Sequence, residues 1–222
     1  MSRAARRVRR VLRVRRVRRV LAAGAACLLL AGCTPSAEPS PGGGSTSSSD
    51  AVVEARVDVD TPALRALKAR AGVAPCTPGT ARNELPAVSL PCLGGGPRVD
   101  LSRLRGPLVI NLFAQWCGPC REELPYYQAL HEKGRGEVAV LGVDYSDARP
   151  DWALDLVRKA GVTYPLVADP AARLRSDLRI IGLPGVVLVG RDGSMHVEYR
   201  VFRSYAELRG LVQERLGVAV PA

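Results

Sequence analysis

Residues 108–114, Leu-Val-Ile-Asn-Leu-Phe-Ala, form an almost unbroken apolar run. It leads, after Gln115, into Trp116-Cys117-Gly118-Pro119-Cys120. A short apolar run with β-branched residues predicts a strand buried on both faces. Pro119 suits the first turn of a helix, and Gly134 supplies a stop, so a helix is predicted over 119–134. The two cysteines therefore sit where a strand hands over to a helix. The unpaired N–H groups of a helix N-terminus carry partial positive charge, which stabilises a thiolate, and the thiolate is the species that attacks disulfides. Cys117 reads as the exposed nucleophile at the helix start. Cys120, one turn on, stays within reach for ring closure. The same spacing also suits half a zinc site or a purely structural pair. Zinc needs two further ligands, whereas His131 and His196 are far apart and Cys76 and Cys92 match no paired-ligand motif. The expectation is a redox-active cysteine pair with no metal and no dissociable cofactor.

Strand and helix patterns alternate after this point. Strands are predicted over 138–143, 166–168, 186–189 and 195–199, the last two joined by Asp192-Gly193. Helices are predicted over 151–160, 171–178 and 205–216. This alternation predicts an α/β fold, a central mixed sheet with helices on both faces. Upstream, Thr61-Pro62 reads as N-cap and first helical position, with Leu64 and Leu67 on the apolar side and Gly72 as the stop. Short strands near 88–90 and 99, separated by Gly94-Gly95-Gly96, predict an N-terminal β extension.

The net charge of +11 suggests nucleic-acid binding until it is located. Ten of the 32 basic residues are arginines within residues 1–33, which hold no acid. Residues 34–222 carry 22 basic against 21 acidic residues, too even a balance for a phosphate-binding surface. The apolar stretch 20–31 is too short to span a bilayer and follows a charged segment, the pattern of an export signal. Leu30-Ala31-Gly32-Cys33 resembles a bacterial lipobox, which implies cleavage before Cys33 and lipid on its thiol, a membrane anchor. The expected organisation is a signal peptide over 1–33, a flexible Gly/Ser/Pro tether over 34–60, a helix and connector over 61–84, and the main domain over 85–222.

The segment from Asn111 through Trp116-Cys117-Gly118-Pro119-Cys120 to Pro125, together with Gly182-Leu183-Pro184, resembles thioredoxin-like proteins of the TlpA/ResA type. That resemblance implies a thioredoxin-like fold and thiol–disulfide exchange on the outer face of a bacterial cell membrane. Cys117 would attack a client disulfide and Cys120 would resolve the mixed disulfide. Trp116, Gly118, Pro119 and a cis Pro184 would surround the pair. Clients would be proteins with disulfides or thiols, apocytochrome c among them, and a reductant outside the cytoplasm needs a membrane thiol-transfer donor. A monomer is expected. Gly185 departs from the threonine frequent after that proline. Cytoplasmic thioredoxin has a buried aspartate where Asn111 stands, and Asn111 cannot act as a base. Asp144 occupies the place where some TlpA/ResA-type proteins carry an acid, so a proton-handling role is expected of it. If it is desolvated, its pKa should be raised. Glu122 and Glu123 read as acids that stabilise the helix dipole. Rival readings are an exported oxidant, a peroxiredoxin-like peroxidase and a binding lipoprotein.

Cys76 and Cys92 remain, each beside a proline. A structural disulfide is expected between them, contributing roughly 3 kcal/mol in the chain-entropy model. A second redox relay is the competing idea. The structural bond is preferred because no helix start follows either cysteine and nothing nearby would lower a thiol pKa.

Overall fold

A computed structural model describes residues 57–222. The expected signal peptide, Cys33 and most of the tether lie outside the described residues. In chain order the elements are α1 (Pro62–Ala71), β1 (Ser89–Leu90), β2 (Val99–Asp100), a 3-10 turn (Leu101–Arg103), β3 (Leu108–Phe113), α2 (Gly118–Lys133), β4 (Ala139–Tyr145), α3 (Pro150–Lys159), β5 (Leu166–Asp169), β6 (Gly185–Val189), β7 (Met195–Glu198) and α4 (Tyr205–Leu216). Among the described residues no helix is long and apolar enough to cross a membrane.

The main sheet has the order β5-β4-β3-β6-β7. Strands β3, β4 and β5 run parallel, whereas β6 and β7 are antiparallel to their neighbours. Parallel neighbours need long crossovers; α2 links β3 to β4, and α3 links β4 to β5. Every residue of β3 is buried, as its apolar run predicts for a central strand.

The sheet separates two cores. The first gathers side chains from all four α-helices, including Leu64, Leu124, Leu154 and Leu208, and takes in Cys117 and Cys120. The second is covered by the β1–β2 pair, the 3-10 turn and residues 174–180. Helical cover on this second face is thus confined to a 3-10 turn. The helix predicted over 171–178 is instead a run of turns. Ala172 and Arg179 both take positive φ, 52° each, a conformation that breaks a right-handed helix. Asp169 holds the run in place, accepting from the amides of Arg173 and Leu174 at 2.9 and 3.0 Å.

Helix α1 begins as its sequence predicts. Thr61 caps it by accepting from the Leu64 amide at 3.2 Å, and it ends at Gly72. It packs against α3. The β extension pairs Ser89 with Asp100 and Leu90 with Val99, and Cys92 bridges to Val167 in β5.

Candidate active site

The end of β3 and the start of α2 set the position of the cysteine pair. Between them the backbone of Gln115 is held from two sides. Its amide donates to Asp147 Oδ2 at 2.7 Å, and its carbonyl accepts from Arg121 Nε at 2.8 Å. The Cys117 amide closes the turn onto Ala114 at 3.1 Å. Cys117 is then the N-cap of α2, with Gly118 and Pro119 as the first helical residues. Its sulfur accepts from the Cys120 amide at 3.3 Å, and the two cysteines are joined as a disulfide with Cα atoms 5.3 Å apart. A sulfur in the N-cap position faces the unpaired amides of the first turn, which favour negative charge there once the bond is reduced.

Cys117 is less open than the sequence reading expects. It is 4% exposed, and Cys120 is 1% exposed. The neighbouring surface is open and apolar. Trp116 is 53% exposed and Ile181 86%, and both line a cleft of about 90 Å³ with Tyr145, Ser146 and Leu183. Trp116 Nε1 donates to the Ser146 carbonyl at 3.1 Å, so the ring is fixed at the cleft wall. Nothing stands within 4 Å of where a side chain on Gly118 would point. The Leu183–Pro184 peptide bond is cis, as the family resemblance implies. Gly185 has a packing reason: a Cβ there would sit 3.0 Å from Tyr199 Cε1 and 3.2 Å from Leu112 Cδ1. Tyr199 is itself tied to the Leu178 carbonyl at 2.8 Å, so a larger residue at 185 would have to push this ring and Leu112 aside by a few tenths of an ångström.

Two buried carboxyls share the face of the sheet that carries the pair. Asp144 lies in β4 opposite Phe113 and is fully enclosed, with Oδ1 unpartnered. Burial raises its pKa well above the usual aspartate range, and the nearby Asp147 carboxylate raises it further. The rise expected from desolvation is therefore found. Asp147 already accepts from the amides of Gln115 and Arg149, so a protonated Asp144 can donate to it whereas an ionised one would repel it. Asn111, also buried, donates to the Tyr164 hydroxyl at 3.2 Å.

Glu123 is the residue that the sequence reading assigns to the helix dipole alone. The structure buries it, with Cys120, Leu124 and Tyr127, on the inner face of α2. Oε1 accepts from the Phe202 amide at 2.7 Å, and Oε2 is buried without a partner. Desolvation pushes its pKa up to about 7, the Phe202 amide opposing this and Glu122 adding to it. The signal was present in the sequence: position 123 falls between two buried positions of the same helical face, one turn beyond Cys120. Unpartnered buried polar atoms are uncommon and call for an explanation.

Asp144 has a direct consequence for stability. The folded protein keeps a proton that the unfolded chain releases above about pH 4. Stability is therefore lost as pH rises through that range, at up to about 1.4 kcal/mol per pH unit. Asp144→Asn removes the penalty and keeps a donor for Asp147. The variant is expected to match the wild type in denaturant midpoint near pH 4 and to exceed it increasingly as pH rises from there. Parallel curves above that pH would disprove the buried neutral carboxyl.

The second pair, Cys76 and Cys92, is also disulfide-bonded, with Cα atoms 6.0 Å apart. It lies in the second core. The absence of a neighbour able to lower a thiol pKa, expected from sequence, does not hold. Lys68 Nζ donates to Cys92 Sγ at 3.0 Å, from a helix that sequence distance had kept out of view. Among the described residues no group of three His, Cys, Asp or Glu side chains is arranged to hold a metal ion.

The sequence profile of the AhpC/TSA family matches residues 81–198. The chain is 33% identical over 101 residues to the thiol:disulfide interchange protein CycY of Rhizobium leguminosarum bv. viciae, covering 45% of this chain and 53% of the relative. It is 33% identical over 124 residues to the thiol:disulfide interchange protein HelX of Rhodobacter capsulatus, covering 54% of this chain and 67% of the relative. The match thus spans half to two thirds of these relatives' length. In fold, it is similar to a secreted Mycobacterium tuberculosis disulfide oxidoreductase homologous to E. coli DsbE, with a TM-score of 0.52 and 20% identity over 58% of this chain and 96% of that one.

Proposed function

The chain belongs to the AhpC/TSA family, and on that premise we propose that it is an exported thiol–disulfide oxidoreductase of the ResA/DsbE type, acting on protein disulfides. The observation that carries this reading is Cys117 as N-cap of α2, bonded to Cys120 in the first turn. In the reduced protein, the Cys117 thiolate attacks one sulfur of a client disulfide and the other client sulfur leaves. Cys120 then attacks Cys117, releasing the second client thiol and restoring the bond seen here. The sulfur–sulfur exchange needs no cofactor. The apolar cleft with Trp116 and Ile181 gives an extended client segment a surface beside the pair. Peroxide reduction would call for an attacking cysteine set in a Thr/Pro-rich loop; a Cys117–Cys120 bond at a helix start suits disulfide exchange instead.

Before Cys120 attacks it must lose its proton. Glu123 is one turn further along the same buried face, where residues three apart are neighbours, and a pKa near 7 is suited to accepting a proton at neutral pH. Asp144, which burial and the Asp147 carboxylate make harder to ionise than an ordinary aspartate, donates to Asp147 when protonated and so stabilises the turn below Gln115. This gives the acceptor role expected of Asp144 to Glu123 and leaves Asp144 as the carboxyl more reluctant to ionise than an ordinary aspartate.

The cellular setting follows from the leader. Cys33 carries the lipid anchor, the tether holds the domain off the membrane, and the protein acts as a reductant fed by a membrane thiol-transfer donor. Apocytochrome c, whose haem-attachment thiols must be reduced, is the client that the resemblance to the TlpA/ResA type implies. A reduction potential near −270 mV, about that of thioredoxin, is expected for the mature protein, and one near −120 mV would make it an oxidant.

The order of the two cysteines is tested by Cys120→Ser. The variant is expected to accumulate client mixed disulfides on Cys117, visible by non-reducing gel and mapped by mass spectrometry. Adducts on Cys76 or Cys92 in its place would assign the attack to the wrong sulfur.

A further inference from the structure

Lys68 is a buried cation without an anion. It is 8% exposed, and its ammonium donates to Cys92 Sγ at 3.0 Å and to the Gly95 carbonyl at 2.8 Å. No carboxylate among the described residues lies within salt-bridge distance of it. Burial pulls its pKa down, with Asp60 opposing. Burying an ammonium beside neutral groups is costly, yet the loop is shaped for it. A Cβ on Gly94 would stand 2.8 Å from Lys68 Cβ and 3.0 Å from the Leu64 carbonyl, so glycine there lets the loop close over the lysine stem. Asp60 acts on this cation only from beyond salt-bridge distance, so the one group in contact with the ammonium that can take a negative charge is Cys92 Sγ, as a thiolate.

Both cysteines are buried, Cys76 at 4% exposed and Cys92 at 1%, and Cys76 is the one that borders a cavity. Cys76 sits in irregular chain between exposed Pro75 and Thr77, and it lines a cavity of about 160 Å³ together with Thr77, Leu104, Arg105 and Pro165. A cavity beside one sulfur and charge stabilisation at the other give the bond a direction.

We propose that Cys76–Cys92 is a second thiol–disulfide exchange site, attacked at Cys76 and releasing Cys92 as a thiolate held by Lys68. The reductant supplies two thiols, both on one dithiol or one on each of two monothiol molecules such as glutathione. One of its thiolates attacks Cys76 Sγ, the Cys76–Cys92 bond breaks, and its electron pair leaves on Cys92 Sγ beside the ammonium. The second thiol then attacks the new mixed disulfide and releases Cys76, which takes a proton from solvent. The two supplied thiols end as a disulfide and this pair as a dithiol, two electrons having passed. A leaving group that is stabilised as thiolate leaves faster, and stabilising the reduced form makes the pair easier to reduce.

The test uses the native mature protein in reduced and oxidised glutathione, with differential alkylation and mass spectrometry reading both pairs in one digest. The wild-type Cys76–Cys92 bond is expected to be reduced without denaturant, through a glutathione adduct on Cys76. Lys68→Met is expected to lower its reduced-to-oxidised ratio about tenfold at a fixed thiol ratio, equivalent to about 30 mV for a two-electron couple. The Cys117–Cys120 ratio should stay unchanged. A wild-type bond that yields only after unfolding would overturn the proposal whether or not the variant folds. So would an adduct on Cys92, or equal ratios in wild type and Lys68→Met.

Discussion

Cys117→Ser is expected to abolish client reduction, by a factor of at least about a thousand, while the fold survives. A serine hydroxyl stays protonated at neutral pH and is a poor nucleophile toward sulfur, whereas the N-cap position offers amide donors and a helix dipole to a thiolate. Cys117 is the sulfur so placed: it begins α2 and accepts from the Cys120 amide. The stability cost should be modest. A disulfide closing so short a loop contributes about 2 kcal/mol in the chain-entropy model, so the variant should unfold like the reduced wild type. Cys120→Ser loses the same cross-link, and comparing the two separates chemistry from stability. One variant should be inert and the other should form adducts and stall. Turnover with a client peptide disulfide, beside denaturant midpoints of both variants and of reduced wild type, checks this. Appreciable turnover by Cys117→Ser would move the active sulfur elsewhere.

The parts of the molecule that were legible in sequence are those fixed by local chemistry. The apolar run ending at Ala114, Pro119 in a first helical turn, and Thr61-Pro62 opening a helix each state their own conformation, and each element appears within a residue or two of its predicted span. The run 171–178 misled because its turn is set by a residue outside it: Asp169 takes two amides that a helix would have used differently. The charged residues misled for a related reason. Glu123 and Lys68 look like solvated helix surface until helical phase is followed strictly. Glu123 then falls on the face of Cys120 and Leu124, and Lys68 falls one turn above Leu64, both inward. What phase cannot supply is the partner from another element. The Phe202 amide is 79 residues from Glu123, and Cys92 is 24 from Lys68. Asp144 came into view only through the resemblance to TlpA/ResA-type proteins: the predicted strand stopped at residue 143, and the structure carries β4 on to Tyr145, which places Asp144 inside the buried strand.

The acceptor role proposed for Glu123 predicts a pH dependence for the second chemical step. In the wild type, resolution of the mixed disulfide should quicken as pH rises through about 7, because Glu123 must be ionised to take the Cys120 proton and desolvation delays that ionisation to about 7. Below that value the carboxyl is already protonated and cannot accept. Glu123→Gln keeps an oxygen for the Phe202 amide and removes the titration. The variant is expected to resolve about a hundredfold more slowly at pH 7.5, the usual scale for loss of a positioned base, and to lose the inflection near 7, its rate then following only the Cys120 thiol. The first attack, by Cys117, should be nearly unaffected, since it rests on the helix N-terminus and needs no acceptor. Single-turnover stopped-flow with a client disulfide separates the two phases. An unchanged inflection in Glu123→Gln would take Glu123 out of the proton path. If the inflection vanished in Asp144→Asn instead, the acceptor would be Asp144 after all, and its burial would have to relax in the mixed-disulfide state.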